Sequence, residues 1–169
     1  MVMTDLFGRG FLYSDDGYAL VAGDFMNLVF QSPLTDNLNE GCTQTSPITD
    51  VYDFDSSSYV TLNWTNTGGN TTYQYDLGET RSIRSINCTC AAQGTQSTTY
   101  TVKLQGSSDA AAWTDLDTET GAKGSGITIQ LALSVADQRY RYVRFYFNSV
   151  QAASASSSGF FIYNFGIYI

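Results

Sequence analysis

Apolar residues recur at every second position through most of this chain. Tyr73, Tyr75 and Leu77 alternate with Gln74 and Asp76. Ile86, Cys88 and Cys90 share one face of the next segment, and Tyr100, Val102 and Leu104 one face of another. Ile127, Ile129, Leu131 and Leu133 alternate over a full strand length, and Val143, Phe145 and Phe147 lie opposite Tyr142, Arg144 and Tyr146. Near the C-terminus Phe161, Tyr163, Phe165, Ile167 and Ile169 fall on one face. A period of two marks half-buried strands, because successive side chains of a strand point to opposite sides. The spacers "TNTGGNTT", "AAQGTQSTT" and "QAASASSSG" are rich in Gly, Ser, Thr and Asn and read as loops. The pattern predicts an all-β chain, an antiparallel sandwich or barrel.

Composition agrees. Charged residues make up 14% of the 169 positions and aromatics another 14%, with two prolines. That mixture favours strands and turns and starves helices of Glu, Lys and Arg. A chain this long buries roughly 70% of its unfolded surface, enough for a core without staples.

Residues 1–37 read differently from the rest. Asp16-Gly17 sits between two short apolar runs, a hairpin signal. Large apolar residues are frequent there and Arg9 is the only base. The stretch is either the opening strands of the main fold or an arm that docks on a partner. We divide the chain at that point: an N-terminal arm or hairpin for docking and oligomerisation over 1–37, and a β-sandwich domain over 38–169.

The net charge of -8 is uneven. Residues 1–60 hold nine acids and one base, and the remainder seven of each. An acidic leader repels phosphate backbones, so nucleic acid is not an expected partner. Nor is a membrane, since no stretch approaches a spanning length. The N-terminus lacks a basic start followed by an apolar run, so no signal peptide is expected. Cys42, Cys88 and Cys90 form an odd count without zinc spacing. Cys88 and Cys90 read as small core residues, with a bridge from Cys42 to one of them as the alternative.

The chain has no histidine, no phosphate-binding Gly loop and no nucleophile elbow. Its close carboxylate pairs, Asp15-Asp16 and Asp115/Asp117, lie in turn-like sequence. No enzyme is expected. What remains is binding. Sugar sites combine an aromatic face with groups that bond hydroxyls. Tyr59 and Trp64, near Asn66 and Asn70, are the candidates at one rim, joined by Arg81 and Arg84 if their loop reaches it. The alternative is that Tyr59 and Trp64 cap the core and the arginines pair with Asp76 or Glu79.

Five segments in order resemble the discoidin, or coagulation factor 5/8 type C, galactose-binding-like domains. "ITDVYDFDSSSYV" resembles the family's front acidic segment, and "YQYDLG" its Asp-Leu-Gly strand. "YTVKLQGSSDAAAW" is similar to its strand, Ser-x-Asp turn and Trp, "RYVRFYF" to its Arg-Tyr-Val-Arg strand, and "FFIYNFGIYI" to its closing strand. The resemblance implies a jelly-roll sandwich, with the segment before it as an N-terminal extension, and places Trp113 in the core. It also implies a structural calcium held by Asp53, Asp55 and the closing strand, where Asn164 stands in place of the family's Glu. Many members close their ends with a disulfide; here no cysteine lies near the C-terminal end. No other cofactor is required.

Two functions are consistent with this. The first is a structural component of a virion, a capsid decoration or tail protein, with residues 1–37 binding other subunits and the chain forming a homo-oligomer. It rests on the missing signal pattern and on a composition poor in Lys and His and rich in Thr, Ser, Gly, Asn and Tyr, which resembles phage tail and decoration proteins. The alternative is an extracellular or cell-surface adhesion module that binds a cell-surface glycan.

Overall fold

Period-two patterning becomes strands in every element described. The computed structural model describes residues 2–4, 10–13, 19–21, 35–38, 42–44, 59–64, 68–94, 98–123, 129–151 and 158–169. In chain order the strands are β1 (Val2–Thr4), β2 (Gly10–Tyr13), β3 (Ala19–Val21), β4 (Thr35–Leu38), β5 (Cys42–Gln44) and β6 (Val60–Trp64). They continue with β7 (Gly68–Gly94), β8 (Thr98–Ser107), β9 (Thr114–Lys123), β10 (Ile129–Gln151) and β11 (Ser158–Tyr168).

Strands β1, β2 and β3 pair antiparallel as a small sheet. β2 and β3 flank the Asp16-Gly17 signal, and the turn itself lies outside the described residues. The other strands hydrogen-bond along one path, β5-β6-β11-β7-β10-β8-β9, with β4 added to β7. β4 lies across the boundary between residues 37 and 38.

This path folds over on itself to make the sandwich. β7 and β10 pair along their whole lengths and pass from one layer to the other. The corner falls where Asp76 pairs with Tyr142 on one side and Arg81 with Tyr140 on the other, so residues 77–80 of β7 face a single residue of β10. Gly78 has φ +80°, a conformation glycine adopts without a Cβ clash, and its N–H donates to Asp76 Oδ1 at 2.8 Å. One layer thus holds β5, β6, β11 and the facing halves of β7 and β10. The other holds β4, the remaining halves, β8 and β9.

The alternating apolar residues fill the space between. Tyr73, Tyr75, Leu77, Ile86, Cys88, Cys90, Tyr100, Val102, Leu104, Leu131, Leu133, Val143, Phe145 and Phe147 are all buried. Rings cross the sandwich: Phe165 of β11 stacks on Phe145 of β10 with centroids 4.0 Å apart and packs at a tilt against Tyr73 of β7 at 5.7 Å. All three cysteines are free, Cys88 and Cys90 buried and Cys42 half-buried.

Three expectations are corrected. First, β11 does not keep one apolar face. Ile162 pairs with Cys90 and Asn164 with the adjacent Thr89, so β11 carries one extra residue there. Such a bulge reverses the alternation. Phe160, Ile162, Phe165 and Ile167 point inward, while Phe161 and Tyr163 turn to the outer face and are half-buried. Second, "TNTGGNTT" is not all loop, because Gly68 already begins β7. Third, Trp113 does not plug the core. It is half-buried, and the Arg144 guanidinium lies over its ring at 4.1 Å.

Candidate functional site

The rim residues separate once they are placed. Tyr59 is 43% exposed at the start of β6. Trp64 closes the same strand but is buried, edge-on to Phe160 at 6.1 Å. A Cβ at Gly69 would come within 2.6 Å of its indole, so backbone presses on the ring. Trp64 caps the core, the alternative role read from the sequence. Asn70 is half-buried in β7. Arg81 and Arg84 are exposed near the corner of β7, where Arg81 pairs with Glu79 at 3.3 Å and donates to Leu77 O at 3.2 Å. Tyr59 packs beside Tyr163, level with Thr89, and Arg84 stands five residues further along β7, roughly 16 Å away. The structure therefore does not bring Tyr59 and the arginines together. Asn66, Asp53 and Asp55 lie outside the described residues. Asn164 is half-buried in the β11 bulge. No group of three His, Cys, Asp or Glu able to hold a metal occurs among the described residues.

Around Tyr59 the outer face of the β6–β11–β7 layer assembles a group of amide and aromatic side chains that periodicity did not reveal. Gly159 of β11 pairs with Asn63 of β6 on one side and Gln93 of β7 on the other. A Cβ at Gly159 would sit 1.7 Å from Leu62 O, so only glycine fits. With no side chain between them, the flanking amides meet: Gln93 Nε2 donates to Asn63 Oδ1 at 3.3 Å. Two residues along, the bulge has turned Phe161 and Tyr163 outward. Tyr59 stands edge-on to Phe161 at 5.1 Å and to Tyr163 at 6.0 Å. An amide pair thus borders an aromatic shelf on one exposed surface. Asn63 Nδ2 and Gln93 Oε1 make no hydrogen bond to the described residues and offer one donor and one acceptor group. Tyr59 was legible from the sequence. Asn63, Gln93, Phe161 and Tyr163 were not, because the bulge and the register of Gly159 create their proximity.

The outer face of the other layer is charged. Ser107 and Asp109 tie the turn after β8: Ser107 Oγ accepts from the N–H of Ala110 at 3.0 Å, and Asp109 Oδ1 from those of Ala111 and Ala112 at 2.9 Å. Those backbone N–H groups hold the Asp109 carboxyl below its ordinary range. The turn delivers Trp113 to the sheet, under Arg144. Arg144 Nε donates to Gln105 Oε1 at 2.7 Å, Gln105 Nε2 donates to Asp115 Oδ1, and Lys103 Nζ pairs with Asp115 Oδ2 at 2.7 Å. Lys103, followed by Gln105, lowers the Asp115 pKa. Nearer the corner Arg141 grips Asp76 with two bonds, at 2.9 and 2.8 Å. That grip lowers the Asp76 pKa.

Both faces belong to a fold with known relatives. The F5/8 type C family model described as NedA-like, galactose-binding domain matches residues 50–145. Among solved structures, the chain is similar to chitosan-binding module 1 of a chitosanase/glucanase from Paenibacillus sp. IK-5. Identity is 20% over 78% of this chain and 96% of that one, with a TM-score of 0.46. It is also similar to CBM32-1 of a family 31 glycoside hydrolase from Clostridium perfringens, 15% identical over 80% of this chain and 93% of that one, TM-score 0.44. The tailspike protein 4 enzymatically active domain of bacteriophage CBA120 is 15% identical over 80% of this chain but only 19% of its own, TM-score 0.46. No curated protein matches. The family model spans more than half of the sequence, from the front acidic segment into the Arg-Tyr-Val-Arg strand: the chain belongs to the F5/8 type C family of NedA-like, galactose-binding domains.

Proposed function

We propose that this chain is a non-catalytic glycan-binding module, acting outside the cell or at a cell surface, with the sugar on the outer face of the β6–β11–β7 layer. One observation carries the reading: Asn63 and Gln93 meet over Gly159 beside the shelf of Tyr59, Phe161 and Tyr163. A pyranose presents an apolar C–H face and a ring of hydroxyls. The rings take the first by stacking, and the amides take the second as both donors and acceptors. Family membership favours this reading over the virion component, which rests on composition and a missing signal pattern.

Native affinity electrophoresis through soluble galactan tests it. The wild-type chain is expected to be retarded, and Tyr59→Ala to lose affinity about three- to tenfold, the worth of one aromatic contact. The melting temperature should change little, because Tyr59 is 43% exposed and lies outside the core. Asn63→Ala with Gln93→Ala should abolish retardation. Unretarded migration of the wild type on galactan and on a panel of neutral glycans would overturn the reading.

A further inference from the structure

The second outer face holds a cation that no carboxylate among the described residues contacts as an ion pair. The Arg144 guanidinium stands over the Trp113 ring at 4.1 Å and donates through Nε to the neutral amide of Gln105. No carboxylate among the described residues pairs with it. The nearby acid, Asp115, is committed to Lys103 at 2.7 Å, with buried Gln105 bridging between Asp115 and Arg144. Lys103, Asp115 and Arg144 together therefore carry one net positive charge. The remaining guanidinium N–H groups form a planar fork suited to a carboxylate, and the contacts with Trp113 and Gln105 hold the group in place in advance. Burial lowers the Arg144 pKa, and Asp115 and Tyr146 only partly offset this. The cation is thus partly stripped of water, and Asp115 offsets only part of that cost.

The surroundings select the kind of anion. Tyr142 and Tyr146 stand two residues to either side of Arg144 on the same face of β10, both half-buried. Arg141 covers the Tyr142 ring at 4.9 Å while its own charge is spent on Asp76. Across the strands Tyr146 faces Thr72 and Lys103. A carboxylate seated on Arg144 therefore has a ring along the strand and hydroxyls beside it, which suits a sugar acid more than a bare ion.

We propose that the face around Arg144, Trp113, Tyr146 and Gln105 is a second binding site, distinct from the one over Gly159, that takes a carboxylate-bearing glycan of the uronate type. The two sites occupy opposite outer faces of the sandwich, so one chain can hold a neutral and an acidic saccharide at once.

Isothermal titration with oligogalacturonate, and with the same oligomer after carboxyl reduction, tests this. The acidic oligomer is expected to bind about tenfold or more tightly than the reduced one, the worth of one charge-assisted contact. The difference should shrink as salt rises to ~0.5 M. Arg144→Gln should remove the preference, whereas Arg139→Gln, which deletes an exposed charge elsewhere on β10, should keep it. If Arg144→Gln fails to fold, Tyr146→Ala gives the second reading, with weaker binding of the acidic oligomer expected. Equal affinity for the two oligomers, equal losses in Arg144→Gln and Arg139→Gln, or an unaffected Tyr146→Ala would overturn the proposal. Galactan retention reports on the first site separately, so either reading can fail without the other.

Discussion

The two outer faces of this sandwich solve the same problem with opposite chemistry. Each must cover a β-sheet whose inner side is already filled. On the β6–β11–β7 side the central strand contributes Gly159, and neutral amides close over the gap. On the β7–β10–β8 side the central strand contributes Arg144, and a chain of charged and amide groups holds it. A glycine in the middle of a sheet lets neighbours two strands apart touch. An arginine in the same position keeps them apart and imposes its own charge. If both proposed sites bind as argued, one strand position decides whether a face reads neutral hydroxyls or an anion.

The comparison can be broken or sharpened by experiment. The largest effect should come from Phe165→Ala, because its ring joins the layers through Phe145 and Tyr73. A loss of about 3–5 kcal/mol is expected from urea unfolding. A loss below ~1 kcal/mol would mean that the faces are not held apart by this stack. Gly159→Ala comes next. A Cβ there collides with Leu62 O, so β11 must shift, at about 1–3 kcal/mol. Galactan retention should fall with it, while the preference for the acidic oligomer over its reduced form survives.

A smaller effect belongs to the charged face alone. The Arg141 guanidinium lowers the Asp76 pKa, so the folded state favours the ionised carboxyl. That stabilisation is complete above the unfolded value of roughly 3.9 and is lost as pH falls through the depressed folded pKa. Both partners are partly exposed and screened by solvent, so the pair contributes little. Asp76→Asn should flatten the decline of melting temperature below about pH 4. An unchanged acid profile would remove Asp76 from the account. The smallest effect is no effect. Burial, aided by neighbouring Cys90, pushes the Cys88 thiol pKa well up. Cys88 should resist an aromatic disulfide reagent until the chain is unfolded, and labelling in the native state would contradict the packing.

Much of the fold was legible because one rule, alternation, operates wherever a strand has a wet and a dry side. Val143, Phe145 and Phe147 declared their inward face, and Tyr142, Arg144 and Tyr146 their outward one. The rule failed where the backbone broke step. At the β11 bulge an extra residue turned Phe161 and Tyr163 outward, converting two apparent core residues into surface rings. Trp113 was misplaced for a related reason. Its burial depends on the Ser107–Asp109 turn and on Arg144, which lies 31 residues further along the chain. Tyr59 could be singled out because an aromatic just before a strand is visible locally. Asn63 and Gln93 could not, since nothing along the chain marks two amides 30 residues apart as neighbours.

The sequence by itself determined the class of the molecule. Its period of two, its turn-rich spacers and five family landmarks require antiparallel strands with these side chains inside. Only the tertiary structure decided which outward residues meet. Strand formation is governed by local alternation, whereas contact between strands depends on register, and one bulge or one glycine changes the partners of every side chain beyond it.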